Sequence, residues 1–421
     1  MVAIAPFRAL RYNPAVIPDL SQVLAPPYDV ISPEEQDQLY ARSAHNVIRL
    51  IYGKQFPDDG PASNRYTRAK QTFDAWRQEA VLQRDATPGF YLYEHAFVWD
   101  SQPRTRRGLI ALLVFGDSPQ VLRHEATFEA PKTDRTRLLD AVRANLSPIF
   151  CVLPDPQRQV YLALEAYARG QAPQAVAHVP ARHPGSRSDE REQVRLWVIT
   201  DPQVISRLQQ AAAPANVLIA DGHHRFEVAW SCRDRYGAIM SFFACLDDPA
   251  LVLQPIHRVI RLGPAMAQWQ QQLADLCELQ PAESCEELLQ WLAAPTGQGR
   301  FGYCQRDRYM RATLQSGRLA QWLLHPPMPL PLAGLDVNLL HHLILPQALG
   351  AGAATAQIDY TPSAACAKAL VDQDSTRCAW LLRGLSVEQV YAFAAQGLRL
   401  PQKTTYFYPK IPSGLCINIC D

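Results

Sequence analysis

The 421-residue sequence lacks the commonest signatures of nucleotide binding and hydrolysis. It has no G-x-x-x-x-G-K-[ST] phosphate loop, no G-x-G-x-x-G turn, no G-x-S-x-G nucleophile elbow and no H-E-x-x-H metal pair. Any phosphate chemistry of this chain therefore uses none of the most familiar nucleotide-binding folds.

Signals for export, membrane insertion and zinc binding are also missing. No apolar run reaches the roughly 18 residues of a membrane span. The first residues, MVAIAPFRALRYNPAV, lack the cationic start and apolar centre of a secretory signal. The ten cysteines include no C-x-x-C pair and no zinc-like spacing. We therefore expect reduced thiols in a cytoplasmic protein without a membrane partner.

The chain also has little net charge, since 41 Lys and Arg oppose 40 Asp and Glu, which leaves +1. Such a balance supplies no field that would draw the whole surface to nucleic acid or anionic lipid. With no apparent helix-turn-helix segment or basic domain, we expect no sequence-specific nucleic-acid partner. The oligomeric state is not indicated.

The length and the apolar pattern predict two domains. Apolar runs with turn punctuation predict strands, with helices between some of them, so residues 1–262 are interpreted as a mixed α/β domain. Residues 263–421 are predicted to form a C-terminal α/β domain, mainly helical as far as about residue 350 apart from a possible hairpin in FGYCQRDRYMRATL. The predicted strands of the first domain cover residues 90–99, 106–116, 147–155, 196–201, 217–221 and 240–247.

The stretch LIADGHHRFEVAW, residues 218–230, is the most informative. If VLIAD is a buried strand, Asp221 and Gly222 form a turn, and the next residues begin a helix whose first N–H groups lack partners. These donors and the helix dipole favour an anion. Arg225 would fork onto phosphate oxygens, while His223 and His224 would donate further hydrogen bonds.

Two other interpretations of this stretch remain open. Asp221, His223 and His224 would form a divalent metal site, although adjacent helical residues point about 100° apart and share one ion poorly. Alternatively, Asp221 is only a helix N-cap and the histidines are satisfied by neighbouring backbone groups.

Three more segments combine charged and polar residues. In VLAPPYDVIS, a Pro-Pro pair stiffens the backbone before Tyr28 and Asp29, which suits a positioned carboxylate. A proline-rich turn in which Asp29 caps the Ser-Pro start is the alternative. In PQKTTYFYPK, hydroxyl and ammonium groups suit phosphate, although TYFY is also good strand material. The candidate phosphate-binding or substrate-binding residues of PQKTTYFYPK are Lys403, Thr404, Thr405 and Lys410.

The third segment, residues 122–150, crowds cations beside a His-Glu pair. Lys132 and Arg135 would clamp a polyphosphate, and Glu125 would act as a base or hold Mg²⁺. Solvated ion pairs on a charged helix are the alternative. The other candidates here are His124, Arg143 and Asn145. In the apolar strand IHRVI, His257 and Arg258 need an ion partner or a hydrogen bond.

Taken in order, these blocks resemble the domain-of-unknown-function 1015 family. The matching blocks are APFRALRYNP, APPYDVIS, NVIRL, the segment from HEATF through PKTDR to RANLSPIF, ADGHHRFE, PIHRVI and PQKTTYFYPK. The DGHHR loop more distantly resembles the phosphate loop of the ParB and sulfiredoxin superfamily, which includes free serine kinases. That resemblance implies an α+β fold with a mixed-sheet core and added N-terminal and C-terminal α/β elements.

The resemblance also implies a phosphotransferase that moves a phosphoryl group between ATP or ADP and free L-serine or a similar hydroxy acid, with Mg²⁺. Gly222, His223, His224 and Arg225 would bind phosphates, and Asp29 or Glu125 would be the base. Glu125 and Asp221 are weak candidates for holding Mg²⁺. A phosphoserine phosphatase and a non-catalytic nucleotide-binding regulator are the alternatives.

Overall fold

The computed structural model describes residues 3–116, 121–125, 129–183, 186–187, 189–213, 216–262, 266–294, 297–350 and 357–420. Residues 126–128 of the HEATF block lie outside this part. The fold is α+β, as predicted, with two main sheets and helices on their faces.

The strands in the described part of the chain fall into five sheets. Their bounds are β1 Ala3–Ala5, β2 Leu10–Tyr12, β3 Leu82–Arg84, β4 Phe90–Trp99, β5 Gln102–Val114, β6 Val121–Leu122, β7 Ala144–Asn145, β8 Ile149–Leu153, β9 Ala175–Pro180, β10 Arg191–Ile199, β11 Val217–Asp221, β12 Ala238–Cys245, β13 Val252–Pro255, β14 His257–Arg261, β15 Cys277–Ala282, β16 Arg300–Gln305, β17 Arg308–Leu314, β18 Gln357–Thr361, β19 Arg377–Leu381, β20 Thr405–Tyr408 and β21 Asn418–Ile419.

Most helices are short, and several begin at a Ser, Asp or Asn cap. Their bounds are α1 Pro33–Arg42, α2 Ile48–Ile51, α3 Arg65–Gln78, α4 Glu129–Val142, α5 Gln159–Gly170, α6 Pro202–Ala212, α7 His223–Ser231, α8 Arg233–Tyr236, α9 Met266–Leu276, α10 Cys285–Ala293, α11 Ser316–Leu324, α12 Leu330–Ala333, α13 Asp336–Leu339, α14 Leu345–Leu349, α15 Ala364–Gln373 and α16 Val387–Ala395.

The first main sheet is mixed. Its order is β6-β11-β8-β12-β5-β4-β10-β9, with β1 added on β5. The pairs β6–β11 and β8–β12 are parallel, and the others are antiparallel. The six strands expected between residues 90 and 247 all belong to this sheet, so the apolar runs predicted them correctly.

Both faces of this sheet are buried, because successive side chains of a strand point to opposite faces. In β8, Phe150 and Val152 pack on one face, while Ile149 and Cys151 pack on the other. Helices α5, α6 and α7 contribute to the core on the second face. Helix α16 and part of the segment 400–416 contribute to the first.

The second main sheet is antiparallel, with the order β15-β17-β16-β19-β14-β18. Strands β16 and β17 form the hairpin predicted in FGYCQRDRYMRATL. The expectation that the segment from 263 to 350 is otherwise mainly helical is wrong for β15. Strand β15 has the burial pattern of a partly exposed strand, so its few apolar residues do not form a run that distinguishes a strand from a helix.

The chain crosses between the two sheets and then returns. Strand β14 belongs to the second sheet, while the later strand β20 pairs with β13 and β21 pairs with β7. Residues 411–418 are buried throughout. The division into domains at residue 262 therefore stays a prediction, and the C-terminal segment lies beside the N-terminal helices and the first sheet.

Candidate functional site

The turn between β11 and α7 leaves the N-terminus of a helix without a side-chain cap. Strand β11 ends at Asp221, Gly222 takes a left-handed conformation with a φ of +93°, and α7 begins at His223. A Cβ on Gly222 would lie 2.8 Å from Cγ2 of Ile149 and 2.9 Å from Nη2 of Arg225. Only glycine fits this position, and as N-cap it leaves the first N–H groups of α7 without a side-chain cap.

The start of α7 opens into a cleft of about 220 Å³. Segments far apart in the sequence meet there: the Tyr28–Val30 turn, the DGHHR loop and the residues around β20. The predicted site residues that line the cleft are Tyr28, Asp29, Glu125, Asp221, Gly222, His223, His224, Arg225, Lys403, Thr405 and Lys410.

Asp221 joins two cations at the base of the cleft. Lys410 Nζ donates a hydrogen bond to Oδ1, and Arg225 Nη2 donates to Oδ2 at 2.9 Å. Arg225 Nη1 also donates to the carbonyl oxygen of Pro148 at 2.6 Å. Arg225 is therefore an anchor of the loop instead of the free phosphate fork predicted from the sequence. Because both oxygens of Asp221 accept from these cations, the structure does not support Asp221 as a Mg²⁺ ligand.

The two histidines of the loop have different surroundings. His223 is buried, with its ring centroid 4.7 Å from that of His124, and burial together with His124 lowers the pKa of His223 well below its usual value. His224 is half-buried. Desolvation and the charge of Lys403 lower its pKa, and the charge of Glu227 raises it by less, so the pKa of His224 lies below its usual value. Both rings are therefore neutral at pH 7 and would contact a ligand through hydrogen bonds.

Glu125 is held at the cleft wall by β20. Its Oε1 accepts from Thr405 Oγ1 at 3.1 Å and from the backbone N–H of Thr404 at 3.3 Å. His124 Nε2 lies 2.7 Å from Thr405 Oγ1. Because the carboxylate only accepts, the Thr405 hydroxyl donates to Glu125, and it also lies in hydrogen-bond contact with the imidazole of His124, whose pKa is lowered by burial. The threonines therefore position Glu125, which differs from the direct phosphate contact predicted for them.

Asp29 is the carboxylate most available to a ligand. Its side chain is exposed to the cleft and has no ion pair or side-chain hydrogen bond with any residue that the structure describes. Desolvation by the surrounding protein raises the pKa of Asp29. The positive charges of Lys410, Arg225 and Lys403 outweigh this effect, so the pKa of Asp29 lies below its usual value. Lys403 is likewise exposed and forms no ion pair within the described part of the chain. A negative and a positive group thus remain available in the same cleft.

Lys132 and Arg135 do not line the cleft, contrary to the polyphosphate clamp predicted from the sequence. Lys132 forms a salt bridge with Glu129 at 2.7 Å on the surface of α4. Arg135 is buried, pairs with Asp134 and stacks over the ring of Tyr28 at 3.9 Å. Arg135 therefore stabilises the segment that carries Asp29, while Lys132 belongs to the solvated charges of the helix.

Arg143 and Asn145 are structural as well. Arg143 ends α4 with a φ of +53°, and its carbonyl oxygen accepts from the N–H of Cys420 at 2.9 Å. Asn145 Oδ1 accepts from the N–H of Met240 at 3.0 Å and from Asn418 Nδ2 at 3.1 Å. Arg143 connects the closing segment to the end of α4, Asn145 connects it to β12 of the first main sheet, and neither residue lines the cleft.

Sequence reasoning missed several residues of the cleft. Gln402 and Ile256 line it, and the Oε1 atom of Gln402 is buried without a partner among the described residues. Tyr406, interpreted from the sequence only as part of the strand TYFY, lines the cleft, and its ring centroid lies 5.1 Å from Lys410 Nζ. The sequence feature that could have indicated these three residues is that they lie inside the blocks PQKTTYFYPK and PIHRVI.

No group of three His, Cys, Asp or Glu side chains in the described part of the chain is arranged to hold a metal ion. A joint metal site of Asp221, His223 and His224 is therefore not supported. None of the described helices combines the length and apolarity needed to cross a bilayer.

Comparisons with known proteins give a family and some remote structural neighbours. A family model described as "Protein of unknown function (DUF1015)" matches residues 4–338. No curated protein matches the chain. Among solved structures, a C-terminally truncated SbnI from Staphylococcus aureus has a TM-score of 0.37 and 9% identity, covering 74% of this chain and 87% of its own.

Two other neighbours are similarly remote. A conserved hypothetical protein from Pyrococcus furiosus has a TM-score of 0.36 and 13% identity, with 71% of this chain and 92% of that chain covered. A free serine kinase variant in complex with ADP has a TM-score of 0.35 and 10% identity, with coverages of 68% and 84%. These values assign neither an activity nor a ligand to this chain.

Proposed function

We propose that this chain, which belongs to the DUF1015 family, is a small-molecule phosphotransferase that moves a phosphoryl group between a nucleotide and free L-serine or a similar hydroxy acid. The observation that carries the proposal is the cleft itself. The uncapped start of α7, the unpaired ammonium of Lys403 and the unpaired carboxylate of Asp29 all line the same space. L-serine is chosen because the DGHHR loop resembles that of the free serine kinases.

The donor's phosphates would lie on the start of α7. The N–H groups of its first turn and the positive end of its dipole favour an anion, and Gly222 lets a phosphate approach the backbone closely. Lys403 would neutralise charge on the transferring group. Arg225 and Lys410 would act less directly, because Asp221 already accepts hydrogen bonds from both.

Asp29 would orient the acceptor and receive its proton. The acceptor hydroxyl oxygen forms a bond to phosphorus, the bond from phosphorus to the bridging oxygen of the nucleotide breaks, and the nucleotide leaves with one phosphate fewer. The hydroxyl proton passes to Asp29 and then to solvent. The lowered pKa of Asp29 keeps it ionised at pH 7, so it is ready to accept the hydroxyl's hydrogen bond.

Mg²⁺ fits this cleft as an ion that arrives with the nucleotide. Three carboxylates and three cations line the space, so the protein adds little positive charge against a polyphosphate. Mg²⁺ is usually held by one or two carboxylates together with phosphate oxygens and water. Glu125 is the residue that would hold it, because only Oε1 accepts hydrogen bonds from described residues. When bound, Mg²⁺ would neutralise charge on the phosphate oxygens.

The test is transfer of phosphate, followed by ³¹P NMR, with ATP or ADP, Mg²⁺ and L-serine. Asp29→Asn keeps the shape of the side chain but removes the carboxylate, and we expect kcat to fall by about 10² to 10⁴. Lys403→Ala should lower kcat/KM by about 10 to 10³, because the cation interacts most strongly with the transition state. Both variants should remain folded, since both side chains are exposed and unpaired.

Matched controls are Asp58→Asn and Lys70→Ala, which change the same side chains on the surface away from the cleft. Wild-type rates are expected for both. Absence of phosphoserine with either nucleotide, or an Asp29→Asn enzyme as fast as wild type, would contradict the proposal. Release of inorganic phosphate without any acceptor would instead indicate a hydrolase.

A further inference from the structure

A second cavity of about 520 Å³ lies beside the cleft, bounded by the second main sheet and the start of α16. Ile256 lines both spaces, and Thr404 lines the second cavity while Thr405 lines the cleft. The second cavity is therefore a neighbour of the cleft with walls of its own. Nothing in the proposed chemistry uses it.

The second cavity carries a net positive lining. Its charged residues are Arg258, Arg383 and Asp336. Arg383 Nε donates to Asp336 Oδ2 at 2.6 Å, so that carboxylate is already paired. Arg258 has no such salt bridge within the described part of the chain, and the charge of Glu125 acts on it only from the adjacent cleft.

Arg258 is fully buried in β14, yet it forms no ion pair with any residue the structure describes. Its Nε donates to His341 Nε2 at 3.1 Å, Nη1 donates to the carbonyl oxygen of Ile256, and the ring of Tyr360 lies 5.4 Å from the guanidinium carbon. Its Nη2 has no hydrogen-bond partner within the described chain. A buried guanidinium without an anion is unfavourable, so an oxyanion that reached it would bind strongly.

The start of α16 adds to this preference. Ser386 and Gln389, the two residues of its capping box, line the cavity. The positive end of the dipole of this nine-residue helix therefore faces the same space as Arg258. Two independent features, a buried cation and a helix N-terminus, favour the same sign of ligand.

We propose that the second cavity is a binding site for a small-molecule oxyanion, carboxylate or phosphate, anchored by Arg258. The site is separate from the cleft and does not depend on the phosphotransferase function.

The test uses two anions and two variants. Crystals soaked in arsenate, an isostere of phosphate with an anomalous signal, and crystals soaked in malonate, a dicarboxylate, distinguish the two ligand classes. We expect one of these anions beside Arg258. Titrations of the thermal midpoint with phosphate and malonate then measure the affinity of the protein in solution.

Arg258→Met removes the anchoring charge and should weaken binding at least tenfold. Gly384→Phe blocks the cavity without altering Arg258, because a Cβ on Gly384 meets only Pro255, at 3.4 Å or beyond. The same loss of binding is expected. Gly317→Phe is the control, since a Cβ on this exposed glycine of α11 meets no atom within 4 Å.

The proposal is overturned if neither anion lies beside Arg258, or if Gly384→Phe and Gly317→Phe bind both anions equally well. Arsenate found only in the cleft, with malonate also absent from Arg258, would overturn this proposal and leave the proposed function standing. Arsenate or malonate beside Arg258 would support this proposal, and the phosphate-transfer assay would still decide the proposed function separately.

Discussion

Gly222 and Arg225 act in opposite ways at the start of α7. The glycine keeps the backbone open to a ligand, because it carries no Cβ where Ile149 and Arg225 leave no room. The arginine turns its donors inward, to Asp221 and Pro148. The sequence predicted the glycine's role from the turn, but the inward direction of Arg225 depends on a carbonyl that lies 77 positions away.

Gly222→Ala is expected to destabilise the protein and to weaken phosphate binding. The left-handed backbone costs a Cβ-bearing residue about 1–2 kcal/mol, and the contact with Ile149 adds to this cost. We expect the free energy of unfolding to fall by about 2–3 kcal/mol in urea denaturation. If the proposed function is right, binding of ADP, measured by calorimetry, should fall at least tenfold, because the loop must shift to relieve the contacts of the methyl group with Ile149 and Arg225.

Gly237→Ala is the matched control. Gly237 also has a left-handed backbone, with a φ of +66°, but a Cβ there meets no atom within 4 Å. The Gly237→Ala protein should lose only about 1 kcal/mol of unfolding free energy, from the left-handed backbone, and should keep its affinity for ADP. Equal losses of stability and of ADP affinity in the two variants would contradict a specific role of Gly222 in binding phosphate.

At the scale of elements, the ribbon of β13 and β20 positions the acidic side of the cleft. Pairing of Gln254 with Tyr406 and of Pro255 with Thr405 fixes the register, which places Thr405 beside Glu125. Sequence patterns predicted TYFY as a strand, but they could not indicate its partner. A strand pairing across about 150 residues depends on the whole topology, so the role of Thr405 as a positioning group emerged only from the structure.

Thr405→Val should remove the hydroxyl that connects His124 and Glu125 while keeping the shape of the side chain. Hydrogen bonds to charged groups contribute about 1.5–3 kcal/mol to stability. Because Thr405 is half-buried, we expect the free energy of unfolding to fall by about 1.5 kcal/mol, the lower end of this range. If the proposed function is right, kcat should fall about tenfold, since Glu125 is no longer held.

The control is Thr136→Val in α4, whose Oγ1 donates only to the carbonyl oxygen of Lys132 in the same helix. Its free energy of unfolding should change by less than about 1 kcal/mol and its kcat should not change. Chemical denaturation and the ³¹P assay measure both variants. A Thr405→Val protein that matches Thr136→Val in both would contradict the positioning role.

At the scale of the whole molecule, buried neutral histidines predict sensitivity to acid. His95, His124, His223 and His257 are all buried, and burial lowers the pKa of each, to about 3 for His257. The unfolded chain has histidines with pKa values near 6.5, so it binds more protons than the native protein below that pH. The stabilisation that these neutral histidines contribute is therefore fully present above about pH 6.5. It is lost progressively as the pH falls from about 6.5 towards their lowered pKa values.

His257→Asn tests this linkage. Between about pH 6 and 4.5, His257 should contribute a slope of about 1.4 kcal/mol per pH unit to the free energy of unfolding of the wild type. The difference in unfolding free energy between the wild type and the variant should therefore shrink by about 1.4 kcal/mol for each pH unit by which the pH falls. His325→Asn, at the exposed end of α11, should run parallel to the wild type in the same urea series. Parallel curves for His257→Asn as well would refute the prediction.

Much of the first sheet and the identity of the cleft's main segments could be predicted from the sequence, because strands and turns have local signals. Asp29, Gly222 and Lys403 were all singled out before the fold was known. Their meeting in one cleft, and the exclusion of Lys132 and Arg135, are consequences of packing between distant segments. Charge density alone does not show which cations face a ligand and which ones hold a helix in place.

The return of the closing segment to the first sheet has a consequence for synthesis of the protein. Strand β13 emerges from the ribosome long before β20, and N-terminal parts generally fold first. Until residues 403–410 have emerged, a nascent chain presents the DGHHR loop without Lys403 and Lys410. If the proposed function is right, nucleotide binding begins only after these late residues have reached their partners, so a stalled, shorter translation product does not compete for the ligand.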